Sequence, residues 1–243
     1  MPESKLQVIL LRYTPDPEEI AAQAAKLCYS PVSIDNLKKQ IENKNQSAFI
    51  DKLIDMRHLS PIEHAIFTFG VEGISRSCSH QIVRHRLASY SQQSQRYVGQ
   101  QSKDGVGFHF VVPPGIEKAG KKSWFIEKMH IIQQWYDELA EALEDQGEGA
   151  FEDARFLLPN AAETKILITM NARELLHFFR MRCCNRAQWE IRNMATEMLR
   201  QVKKVSPHIF KDAGPGCVND KCPEGKMTCG KMSEVRERFK NLS

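Results

Sequence analysis

The feature that most restricts this chain is period-two alternation confined to short runs, with longer helical stretches between them. Ile166, Ile168 and Met170 alternate with polar or smaller neighbours across residues 164–170, and residues 67–71 alternate in the same way. Successive side chains of a strand point to opposite faces, so both runs predict half-buried strands. The apolar runs 7–11 and 108–112 also read as strands, the second ended by Pro113-Pro114. The intervening segments predict helices. Residues 18–28 are alanine-rich, Ser33 or Asp35 caps a second helix, and Ser47 caps a third. Ser60-Pro61 supplies Ncap and N1 signals for another start. A helical segment runs from beyond Gly73 towards Arg86, residues 116–144 form a long amphipathic stretch, and helices follow over 173–182 and 187–205. The polar stretch 89–104 reads as an irregular loop. Strands alternating with helices imply an α/β (α+β) fold, a central mixed sheet flanked by helices. No linker interrupts it, so we expect one catalytic domain over 1–210 and a short Cys-, Gly- and Lys-rich tail over 211–243.

At 243 residues, the chain is long enough to bury a substantial core. With 42% hydrophobic and 26% charged residues it falls among ordinary globular proteins, which argues against disorder. A net charge of +4 suits small anions but is too weak to argue for nucleic acid. No apolar run approaches bilayer length and Met1-Pro2-Glu3-Ser4-Lys5 is no secretory signal, so no membrane association and a cytoplasmic location are expected. In that compartment the seven cysteines, an odd count, read as thiols or metal ligands and not as a disulfide framework.

Chemistry concentrates in residues 81–97. Gln81, Ile82, Val83, Arg84, His85 and Arg86 lead into Gln92, Gln93, Ser94, Gln95 and Arg96, with little acid nearby. Arginine offers a rigid fork of donors suited to phosphate, which hydroxyls and amides can complete. Arg84 and Arg86 would point roughly 200° apart on a helix but to one side of an extended chain. Either the helix ends before them, or they serve two ligands. A solvated basic loop is the bland alternative.

The order of residues weighs against that alternative. Arg84-His85-Arg86, then seven residues, then Ser94 and Arg96 resembles the signature of the flavin-dependent thymidylate synthases. Three further strings resemble the same family in the right order: 58–64 with 67–69, then 154–159, then 171–182 with 187–190. The resemblance runs from about residue 20 to about 210.

This resemblance implies an enzyme that methylates dUMP to dTMP with methylene-tetrahydrofolate, FAD and NADPH. It implies that Gln81, Ile82, Val83, Arg84, Gln92, Gln93, Ser94, Gln95 and Arg96 hold the nucleotide. Arg155 would reach it from a neighbouring subunit of a homotetramer, and Arg182 would lie against the uracil ring as the catalytic group. FAD would lie along Ser60, Arg84, His85, Arg86, Gln92, Asn171, Ala172, Arg173 and His177, with lesser parts for His58 and Glu63. Some members carry Glu in place of Gln92, Asn in place of His177 and Thr in place of Ser60.

Several residues invite other readings. Arg180 and Arg186 read as surface cations, and Trp189 as core or interface. Cys183-Cys184 lacks a paired base and reads as structural, not nucleophilic. Cys217, Cys222 and Cys229, with His208, offer a metal hypothesis of non-standard spacing; reduced thiols and no metal are the reading adopted. A nucleic-acid-binding module would use the arginines with Tyr90 and Tyr97, but leaves Arg155, Asn171 and Arg182 unexplained.

Overall fold

The computed structural model describes residues 2–42, 44–102 and 105–242. Strand β1 (Gln7–Tyr13) precedes helices α1 (Pro17–Leu27), α2 (Ile34–Ile41) and α3 (Ser47–Asp55). A single 3-10 turn (Pro61–His64) leads into β2 (Ile66–Ser75), α4 (Arg76–Ile82) and β3 (Ala88–Gln92). Helices α5 (Pro114–Lys118), α6 (Lys122–Ala142) and α7 (Glu148–Ala154) precede β4 (Glu163–Asn171), α8 (Ala172–Arg182), α9 (Trp189–Val205) and α10 (Met232–Lys240). The sheet order is β1-β2-β4-β3. The expected α+β class therefore holds, with the strands antiparallel and not of mixed direction.

Local chemistry explains most of these boundaries. Ser33 caps α2 by accepting from the Asn36 N–H, Ser75 caps α4 at Cys78, and Asn171 caps α8 at Glu174. Ser47 does not cap α3; the helix begins on it, after Gln46. The long stretch expected over 116–144 is two helices. Gly120, at φ +65°, lets the chain turn left-handed behind α5, with Gly120 N–H on Glu117 and Lys121 N–H on Ile116.

Two strand expectations change. Residues 88–92, read as loop, form β3 at one edge of the sheet. Residues 108–112, read as a strand, make only isolated bridges, with Phe110 pairing to Glu3 and to Ala162. Gln133 on α6 satisfies the start of this segment, and backbone bonds with Pro2, Ser4, Ala161 and Glu163 satisfy most of the rest. Gln133 Oε1 accepts from Phe108 N–H at 2.7 Å and its Nε2 donates to the Gln100 carbonyl. Gly107, at φ +64°, lies so close that a Cβ there would stand 2.4 Å from Gln133 Oε1.

The chain divides into two compact units. The first comprises Met1–Gln7, Val71–Arg84 and Tyr90–Leu167. Its core packs Phe108, Phe110, Val112, Met129 and Ala162, and a second cluster joins Tyr136, Ala140 and Ala154. Met129, Gln133, Tyr136 and Ala140 are the buried positions of α6, spaced to make one helical stripe.

The second unit comprises Val8–Gly70, His85–Ser89 and Ile168–Ser243. A row of ring contacts runs from Tyr13 through Phe67, Phe210, Phe179 and Phe178 to His85. The Cys-rich segment is folded within this unit: α10 buries Val235 and Phe239, and Arg236 donates to the Cys217 carbonyl. Among the described residues no helix is long and apolar enough to cross a membrane.

Candidate active site

Helix α4 ends at Ile82, and Val83 is its C-cap. The triplet that follows is therefore outside the helix. Arg84 lies in the turn that follows, and Arg84 and Arg86 are exposed while His85 is buried. Of the two arrangements left open by the sequence, this satisfies the one in which the helix stops before the arginines.

In the first unit two of the candidate nucleotide residues, Arg96 and Arg155, meet at Glu152 of α7. Arg96 Nε stands 2.7 Å from the Glu152 carboxylate, and Arg155 Nε donates to the Glu152 carbonyl at 3.0 Å. Ser94 Oγ accepts from the Arg96 N–H, which folds the loop back on itself. Arg76 lies beside Arg155; burial, and then that neighbouring charge, lower its pKa. Gln92 Nε2 donates to both Ser79 and Thr164 hydroxyls at 3.0 Å, and Gln93 N–H binds the Lys165 carbonyl. Gln81 donates to the Ser77 carbonyl, and Gln95 is half-buried. The Ile82 side chain is buried and its carbonyl accepts from Tyr90, whereas Val83 is exposed.

In the second unit, Arg182 Nε stands 3.0 Å from His85 Nε2, and His85 Nδ1 stands 3.4 Å from Glu174 Oε1. Phe178 packs edge-on to the imidazole at 4.9 Å, and His177 lies 6.0 Å away. Burial, then Arg182, then His177 push His85 down to about 4, so it is neutral at physiological pH. Burial raises the Glu174 carboxyl in turn.

Ser60 and Arg173 line a pocket of about 380 Å³ with His58, Leu59, Pro61 and Leu53. Arg173 Nη1 donates to Glu63 at 2.5 Å, Ala172 is buried, and Asn171 is the helix cap. A hydroxyl, an imidazole and a guanidinium beside an apolar wall form a donor set that fits part of a flavin dinucleotide, with donors for its diphosphate.

Cys28 also lines the Ser60 pocket, whereas Cys183 is buried away from it. Burial pushes Cys183 up to about 12, so it has no thiolate at neutral pH. His208 pairs with Asp51, at 3.2 Å, and among the described residues no three His, Cys, Asp or Glu groups are placed to hold a metal ion.

Residues 9–208 match the family described as thymidylate synthase complementing protein. The chain belongs to this family. It is similar to proteins named flavin-dependent thymidylate synthase: 55% identical to one from Geobacter sulfurreducens, across 98% of this chain and 100% of the relative. A relative of the same name from Clostridium tetani is 52% identical, with 96% and 97% covered. Another, from Nitratidesulfovibrio vulgaris, is 45% identical, with 95% and 97% covered.

Arg76, Glu152 and Glu174 stand beside the candidate site residues without being among those that the resemblance implies. Arg76 occupies the first turn of α4, where the helix dipole disfavours a cation, and that placement is itself a sign of a special environment. Glu152 and Glu174 carried no comparable signal, because their importance comes from the arginine and histidine that the fold sets beside them.

Proposed function

We propose that this chain is a flavin-dependent thymidylate synthase that methylates dUMP to dTMP, taking the carbon from methylene-tetrahydrofolate and the reducing power from NADPH. The observation that carries the reading is Arg182, half-buried and held by neutral His85, in a chain of this family. Arg182 lies against the uracil ring and stabilises negative charge developing across N3 and O2. That raises electron density at C5, which becomes the nucleophilic carbon without a protein nucleophile. The inert Cys183 is consistent with such a route.

Ser94 and Arg96 hold the nucleotide phosphate, and Arg155, with Arg76 adding charge beside it, reaches the same nucleotide from a neighbouring subunit. Gln81, Ile82, Val83, Arg84, Gln92, Gln93 and Gln95 complete the nucleotide site. Ser60, Arg84, His85, Arg86, Gln92, Asn171, Ala172, Arg173 and His177 hold FAD. When bound, the flavin supplies the hydride that completes the methyl group. The working form is a cytoplasmic homotetramer whose sites are shared between subunits.

A nucleic-acid-binding reading is not favoured. Arg96 and Arg173 are each already matched by a carboxylate, Glu152 and Glu63, and relatives similar over nearly the whole chain are named flavin-dependent thymidylate synthase.

The test is a tritium-release assay with dUMP, methylene-tetrahydrofolate and NADPH, run with and without added FAD. Turnover that requires all components supports the reading. A colourless protein that never bleaches with NADPH, and that shows no turnover even with FAD, overturns it.

A further inference from the structure

Glu174 is a buried carboxylate, 6% exposed, to which the proposed reaction assigns no part. Guanidinium nitrogens only donate, so the 3.0 Å contact from Arg182 Nε requires His85 Nε2 to be bare. A neutral imidazole then carries its single proton on Nδ1. The acceptor facing Nδ1, at 3.4 Å, is the Glu174 carboxylate. Glu174 is itself fixed, since its backbone N–H is held by the Asn171 side chain in the first turn of α8. The ring cannot easily turn away, with Phe178 against it edge-on.

We propose that Glu174 is a positioning residue for methyl transfer: it selects the His85 tautomer whose Nε2 accepts from Arg182, and so sets the plane of the guanidinium. The inference rests on the reading of Arg182 as the group that polarises the uracil ring. With the other tautomer, an Nε2–H would oppose the Arg182 Nε–H, two donors head to head. The guanidinium would then leave the orientation the reaction needs.

Glu174→Gln keeps an acceptor of the same shape, whereas Glu174→Leu removes it at similar volume. The test compares kcat, the KM for dUMP, bound flavin and thermal midpoint for the tetramer of each. Glu174→Gln should keep kcat within about threefold, and Glu174→Leu should lose about tenfold to a hundredfold in kcat with KM little changed. Because Glu174 acts through Arg182, adding Glu174→Leu to Arg182→Ala should cost no further activity. Glu174→Ala takes the place of the leucine variant if that one does not fold.

Three results overturn the proposal: wild-type kcat in the folded leucine or alanine variant, equal loss in the glutamine and leucine variants, or a loss that only tracks flavin content and thermal midpoint. Arg182→Ala, assayed in parallel, separates the two ideas. Its full activity would sink the reading of Arg182, whereas an inactive Arg182→Ala beside a fully active Glu174→Leu would sink the positioning role alone.

Discussion

Arg96 and Glu152 form an ion pair at 2.7 Å, so the guanidinium assigned to the substrate phosphate already faces an anion. Phosphate binding therefore exchanges one negative partner for another. Glu152→Gln should lower the KM for dUMP, by about two- to fivefold given the modest worth of a half-exposed pair. Ser94→Ala should raise that KM about tenfold while kcat at saturating dUMP is kept. Steady-state kinetics at varied dUMP check both, and loss of all turnover in Ser94→Ala would contradict its assignment.

Arg182→Ala should reduce kcat by about a hundredfold or more, the scale of removing a group that stabilises transition-state charge. Bound FAD should stay largely intact. The ratio of flavin absorbance to protein, read beside the rate, checks the pair of outcomes.

His85 links stability to acid. Its folded value, about 4, lies below the ordinary 6.5, so between these the unfolded chain binds the proton and the folded chain resists it. The contribution is whole above pH 6.5 and is lost as pH falls towards 4. Glu174 works in the opposite sense, since burial raises its carboxyl. Urea unfolding across this range should show stability falling on acidification, with a shallower slope in His85→Gln.

Gly107→Ala should destabilise the first unit by about 1–2 kcal/mol, from the left-handed backbone alone. The crowding of Gln133 adds to that cost, since this amide secures Phe108. Equilibrium denaturation with an unchanged m-value checks it.

Thiol labelling followed by mass spectrometry should modify Cys28 first, because it is exposed. Cys183, fully buried and pushed up to about 12, should resist until the protein unfolds. Rapid native labelling of Cys183 would refute its structural role.

What the chain discloses in advance follows the strength of its periodicity. β2, β4, α8 and α9 were legible because apolar residues recur along each at the period of the element. β3 was not, because Ala-Ser-Tyr-Ser-Gln lies at a sheet edge and shows no apolar alternation. Residues 108–112 misled for the converse reason: Phe108, Phe110 and Val112 are apolar because they fill a core under α6, with no continuous ladder beside them. At the site, the arginine–serine string was legible from order and spacing. Glu152 and Glu174 were not, because a carboxylate's meaning depends on which cation or imidazole the distant chain brings to it.

The seat of Phe239 has a practical consequence. Its ring is 1% exposed and stands 3.0 Å from the Cβ position of Gly214, with Val218 packed there as well. Cutting the chain ahead of Met232 would unroof that patch, and the first symptom would be protein lost to aggregation during purification, long before any catalytic defect could be scored.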